Sequence, residues 1–114
     1  MINQRETMKK DTKEKLRGGE GSVRFTYLAD CEQEKNIRML AELELLPGDS
    51  IGYHRHDNET EYFVILSGSG EVNDNGAVKQ VKPGDTIITG NGASHSIKNT
   101  GSAPLVFHAI IVTY

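Results

Sequence analysis

The sequence predicts an all-β domain, a sandwich or a small closed barrel, and three observations carry that expectation. Short apolar runs at residues 23–28, 61–66, 86–89 and 105–112 are separated by turn chemistry rather than by helix-length periodic segments. Pro-Gly pairs stand at 47–48 and at 83–84, where proline presets φ and glycine supplies the positive φ of a type II turn. Asn75-Gly76 lies between alternating apolar residues, the pattern of a two-residue hairpin. Many short strands joined by such turns pack as sandwiches or close into barrels.

In chain order, residues 1–22 read as an N-terminal arm and residues 23–114 as a single domain. Residues 1–17 are polar and rich in Lys and Arg with acids interleaved, which suits a solvated arm or an edge segment docked on a second subunit. Gly18-Gly19-Glu20-Gly21 lacks the full GxGxxG pattern and no helix signal follows it, so a flexible turn is expected. The stretch Met39–Leu46 carries two opposed signals. Its Met, Leu, Ala and Glu favour helix by propensity. Its alternation places Met39, Ala41, Leu43 and Leu45 on one side and Glu42 and Glu44 on the other, which favours a half-buried strand. The strands and turns around it decide for strand.

A chain of 114 residues fits one domain and buries a core without disulfides. Its net charge of −3 gives no general attraction to nucleic acid or to an anionic membrane. The single cysteine, Cys31, has no internal partner, which points to a reducing compartment. No secretory h-region and no run of transmembrane length is present. The expectation is a cytoplasmic protein.

The chemistry lies between Gly48 and Glu61. Residues two apart on a strand point to one side, so His54 and His56 share a face while Arg55 points away. A four-residue connection then delivers Glu61 to the start of the next apolar strand. Two imidazoles and a carboxylate converging on one point outline a transition-metal site. A third imidazole, His95, stands at another junction of a Gly-rich loop and a strand.

These residues resemble the cupin superfamily. Gly48, His54, His56, Glu61 and Gly68 meet every fixed position of the first cupin motif, G-x5-H-x-H-x(3,4)-E-x6-G. Gly84, Gly92, His95 and Asn99 meet the second, G-x5-P-x-G-x2-H-x3-N, in which Gly90 replaces the proline and puts the rigidity of that loop in question. The resemblance covers roughly residues 38–112. It implies a double-stranded β-helix, a small jelly-roll barrel with one divalent transition metal (Mn, Fe, Ni, Co, Cu or Zn) inside one end. The ligands it implies are His54, His56, Glu61 and His95, with one or two positions left for water or substrate. The residue chemistry agrees, since three imidazoles and a carboxylate inside an apolar barrel suffer a severe desolvation penalty without a cation.

Other residues are assigned blander roles. Glu59 reads as a solvated loop carboxylate, with a base beside the ligands or an alternate ligand as the other readings, and Tyr53 reads as packing. Phe63 and Ile65 continue the Glu61 face as apolar cavity wall. His108 interrupts an apolar strand as a hydrogen-bonded core histidine, with a cavity-lining proton shuttle as the alternative. Asn99 fixes a turn, and Arg24, Arg38 and Lys98 are candidate anion anchors.

The fold does not name a reaction. The leading expectation is a metal-dependent enzyme acting on a small oxygen-bearing metabolite, of the dioxygenase, decarboxylase or isomerase class. The alternatives are a non-enzymatic sugar- or metabolite-binding module and a metal-stabilised structural domain. Apolar outward positions such as Val64 and Leu66 predict a homodimer, with residues near the N-terminus adding to the partner's sheet.

Overall fold

The structure, a computed structural model, describes residues 1–114. Ten strands follow in chain order: β1 (Lys10–Glu14), β2 (Ser22–Tyr27), β3 (Ile37–Leu45), β4 (Ser50–Arg55), β5 (Glu59–Ser67), β6 (Gly70–Asp74), β7 (Ala77–Val81), β8 (Thr86–Gly90), β9 (Ser94–Lys98) and β10 (Leu105–Thr113). Short 3₁₀ turns occur at Arg5–Thr7 and Leu16–Gly18. No helix is long and apolar enough to cross a membrane. The strands form a six-stranded sheet in the order β1-β2-β3-β10-β5-β8 and a four-stranded sheet in the order β4-β9-β6-β7, antiparallel throughout. This is the jelly-roll barrel that the motifs imply.

Alternation overrides propensity at β3. Ala41, Leu43 and Leu45 are buried while Glu42 and Glu44 face outward, because β3 is flanked on both edges by β2 and β10. The inner faces of the two sheets supply one core. Leu43, Leu45, Phe63, Ile65, Val72, Ile97, Leu105 and Phe107 each lose almost all their accessible surface. Each such side chain contributes about 1.5–3 kcal/mol of transfer free energy.

The turns follow their residue types. Gly48 and Gly84 take φ of 89° and 95°, and the closing bonds run from Asp49 N to Leu46 O (2.9 Å) and from Asp85 N to Lys82 O (3.1 Å). Asn75 and Gly76, with φ of 51° and 102°, join β6 to β7 as a primed hairpin turn that matches strand twist.

Within the N-terminal segment, β1 pairs with β2 of the same chain and forms one edge of the larger sheet. The glycine run after it is not the loose turn its composition suggests. Gly19 is buried, and its Cα and that of Gly52 press so closely on the facing backbones of Ser50 and Arg17 that neither has room for a Cβ. Residues 16–19 are therefore packed across β4.

Candidate metal centre

Strand β4 carries a β-bulge that creates the site. Ile51 pairs with Ile97 and His54 with His95, so three steps on β4 match two on β9. The extra residue reverses the alternation, turning both Ile51 and His54 inward and sending Tyr53 out to solvent. Tyr53 is thus half exposed, at 51%, and not a packing residue. Beyond β4 the chain stays tied to the loop before β9, through His56 N to Ala93 O (3.0 Å) and Gly92 N to His56 O (2.8 Å). Glu61 enters from β5, in an inward row that runs Met39, Ile111, Glu61, Thr89 across the larger sheet.

The four donors anticipated from the motifs come together. His56 Nε2 lies 3.0 Å from His54 Nε2, 3.1 Å from His95 Nε2 and 3.1 Å from Glu61 Oε1. His95 Nε2 is also 3.1 Å from Glu61 Oε1, and all four ligand atoms fall within 4.8 Å of one another. His56, Glu61 and His95 are buried, while His54 is only partly so and marks the side open to solvent. Phe63 stacks on His95 with centroids 4.7 Å apart and planes inclined by 15°.

The far ring nitrogens are each engaged. His54 Nδ1 meets Gly52 O at 2.6 Å, His56 Nδ1 meets Glu59 Oε2 at 2.5 Å, and His95 Nδ1 meets Thr89 Oγ1 at 2.8 Å. A carbonyl and a carboxylate only accept, so Nδ1 of His54 and of His56 carries the proton. In the neutral imidazoles the lone pairs then sit on Nε2 and point at the shared centre. This is the arrangement in which metal-ligating histidines are held by outer partners.

Electrostatics separate the members of the cluster. Burial works against ionised Glu61, yet the close contacts with His56 and His95 outweigh it and hold the carboxyl below its ordinary range. His56 is raised: burial opposes its charged form, but contacts with Glu61 and Glu59 prevail. His54 is lowered, chiefly by burial.

Glu59 is not a solvated carboxylate. Its side chain is 14% exposed and bound on both oxygens, with Arg38 Nε at 3.1 Å from Oε1 and Arg38 Nη2 at 2.9 Å from Oε2. The loop position concealed this, because the partner comes from another strand. Thr89 was also hidden in an apolar run, although its inward parity with Ile87 was available as a signal.

His108 is not a core histidine. It faces outward on β10, away from the barrel interior, and its Nε2 lies 3.1 Å from Glu42 Oε1. Glu42 in turn receives Arg5 from the N-terminal segment. Of the candidate anion anchors, Arg24 and Lys98 lie on exposed strand positions, and only Arg38 reaches the surroundings of the cluster. Asn99 does fix a turn, donating to Leu45 O and Ala103 O (both 2.8 Å) and accepting from Gly101 N (2.9 Å). Phe63 and Ile65 are both fully packed in the core. Gly90 answers the question of the missing proline: it pairs with Thr60 so closely that a Cβ would collide with that residue. A separate cavity of about 810 Å³ is lined by Met8, Tyr27, Cys31, Arg38 and Met39 among others, but by none of the four donors.

Comparison with known proteins agrees with the fold. The oxalate-binding protein of Thermotoga maritima is 43% identical over 98 residues, spanning 85% of this chain and 81% of that protein. A crystal structure of a Thermotoga maritima protein, described as a predicted oxalate decarboxylase, matches 100% of both chains with a TM-score of 0.94 and 36% identity. The polyketide cyclase RemF of Streptomyces resistomycificus shares the fold, with a TM-score of 0.77 and 22% identity over 98% of this chain and 78% of its own. The cupin domain family matches residues 41–112, and with both motifs in place on a jelly-roll barrel the chain belongs to the cupins.

Proposed function

We propose that His54, His56, Glu61 and His95 bind one divalent transition metal, and that the metal holds a small oxygen-bearing metabolite, of which a dicarboxylate such as oxalate is the class in view. The observation that carries the reading is the convergence of lone pairs. Imidazole nitrogens 3.0 and 3.1 Å apart, beside a carboxylate oxygen at 3.1 Å, repel one another unless a cation or protons lie between them. Metal–nitrogen bonds of about 2.1 Å set neighbouring donors about 3.0 Å apart at right angles and about 3.4 Å apart at the tetrahedral angle. Donors at this spacing, three imidazoles and one carboxylate, suit a first-row divalent ion, Mn, Fe, Ni, Co, Cu or Zn.

A divalent ion held there acts as a Lewis acid toward a carboxylate or carbonyl oxygen. The chain's own residues prepare for that. Gly52 O, Glu59 and Thr89 orient the imidazoles, Phe63 and Ile111 exclude water from the inner side, and the less buried His54 leaves the approach open. The name of the Thermotoga maritima oxalate-binding protein supports the ligand class, and equally supports a second reading in which the cupin binds its metabolite without turning it over.

Melting temperatures of demetallated protein against added Mn, Fe, Co, Ni and Zn test the metal. At 100 times Kd, bound metal adds about 2.7 kcal/mol, or roughly 10 °C for a domain of this size. The wild type should rise and His56→Ala hardly at all; equal responses would remove the metal and the metabolite reading with it. Oxalate added to the metal-loaded protein should raise the melting temperature further, and assays for formate, CO₂ and oxygen uptake separate an enzyme from a binder.

The same proposal includes a homodimer in a reducing, cytoplasmic compartment, which the unpaired Cys31 fits. Tyr62, Val64 and Leu66 on β5, Ile88 on β8 and Ile110 on β10 lie side by side on the outer face of the larger sheet, with Ile88 62% and Leu66 42% exposed. A second copy of this chain, related by a two-fold axis, covers such a self-facing apolar patch. Sedimentation should give a dimer at micromolar concentration, and Ile88→Lys should give a monomer.

A further inference from the structure

We infer that Arg38 and Glu59 form one positioning unit that sets how His56 meets the metal, so that metal affinity depends on a guanidinium that never touches the ion. The inference rests on the metal reading above and deepens it. A single oxygen, Glu59 Oε2, joins the two contacts: His56 Nδ1 at 2.5 Å and Arg38 Nη2 at 2.9 Å. Arg38 Nε holds the other oxygen at 3.1 Å, which fixes the carboxylate plane in the two-pronged manner that Arg alone provides.

The backbone is shaped for this contact. Ile111 pairs with Met39 but Val112 pairs with Ile37, so Arg38 is the extra residue of a β-bulge at the start of β3. The bulge takes Arg38 out of the strand's alternation and re-aims it toward the rim, where Glu59 stands. Arg38 also lies outside residues 41–112, the part of the chain that matches the family.

An exposed ion pair contributes little by itself, and Arg38 is 51% exposed. The arrangement has a different consequence. A bare carboxylate on Nδ1 pulls the imidazole toward imidazolate, and an arginine on that carboxylate tempers the pull and fixes its direction. His54 and His95 have only a carbonyl and a hydroxyl in the corresponding place. The three imidazoles are thus unequal, and His56, which is adjacent to each of the other three donors, is the one under outside control.

The test uses the full chain, demetallated and titrated with Co(II) alone, for wild type, Glu59→Gln, Arg38→Met, Arg38→Lys and the double variant Glu59→Gln/Arg38→Met. Glu59→Gln should weaken Co(II) binding about 10- to 100-fold. Arg38→Met should weaken it several-fold and shift the visible Co(II) absorption, and Arg38→Lys should recover part of both. The double variant should bind no worse than Glu59→Gln, because the two residues act in series. Circular dichroism and melting of the metal-free proteins identify any variant that has not folded, and Glu59→Gln and Arg38→Lys then carry the test. Wild-type binding with Arg38→Met unchanged in affinity and spectrum, or with additive losses in the double variant, would overturn the inference while leaving the metal site intact. No Co(II) binding by the wild type would overturn the metal reading and this inference together.

Discussion

At the scale of single residues, the cluster is governed by protons as much as by geometry. A metal needs neutral imidazoles, so every proton taken up by the site opposes binding. In the metal-free protein His56 is raised above the ordinary histidine range and takes its proton before His54, which burial lowers. Affinity should begin to drop at or above pH ~6.5 and continue to drop well below it, each proton adding up to about tenfold per pH unit. Equilibrium competition with a chelator of known pH dependence checks this, and a Kd unchanged between pH 7.5 and 5 would contradict it. Asn99 gives a prediction about stability instead. It is buried and satisfies two carbonyls and one amide, so Asn99→Ala should cost roughly 2–4 kcal/mol in chemical denaturation. The convergence of His54, His56, Glu61 and His95 and the role of Asn99 were legible in the sequence because motif spacing bears directly on them. Glu59 and His108 were not, since each depends on a partner from a distant segment, Arg38 in one case and Glu42 in the other.

At the scale of elements, two bulges and one glycine contact do work that periodicity does not express. Strict alternation from Ile51 would have placed His54 outside; the β4 bulge brings it in and offers Gly52 O to its Nδ1. Nothing in the local sequence marks that extra residue except the glycine itself. Gly52→Ala would drive a methyl group into the backbone of Arg17. It should destabilise by about 1–3 kcal/mol and weaken metal binding through His54. The same substitution leaving both stability and Co(II) affinity unchanged would show that the 16–19 segment does not buttress the site. A second device fastens residues ahead of β1. Arg5 and His108 both meet Glu42, and the hydrogen bond from Arg5 is the main reason that this carboxyl lies below its ordinary range despite partial burial. A depressed carboxylate stabilises the folded arrangement above its unfolded value near 4.5 and loses that contribution as pH falls through its folded value. Protection of the amides in residues 5–14, taken relative to their intrinsic exchange rates, should therefore fall as pH drops below the ordinary carboxylate range, and Glu42→Gln should show the lower protection already at neutral pH. Strands and turns themselves were readable, β3 included, because alternation and Pro-Gly or Asn-Gly chemistry are local. The packing of the glycine run against β4 was not, being a contact across more than thirty residues of chain.

At the scale of the whole molecule, β10 organises the larger sheet. Residues 105–113 lie between β3 and β5, pairing with residues 37–45 on one side and 59–67 on the other. Glu61 stands on β5 and Arg38 on β3, so the strand that joins them also sets the distance between the rim pair and the cluster. The sequence made the barrel legible through its motifs, while this central placement of the last strand follows only from topology. Most stabilising contacts in such an arrangement are far apart in sequence, and folding is correspondingly slow, in the range of about milliseconds to seconds. During synthesis the consequence is sharper. Until residues 105–113 have left the ribosome, β3 and β5 each present an unpaired edge and an apolar face with nothing to cover them. A product cut before Leu105 is therefore not a smaller cupin but an aggregation-prone fragment, and the cell receives either the complete barrel or material for its proteases.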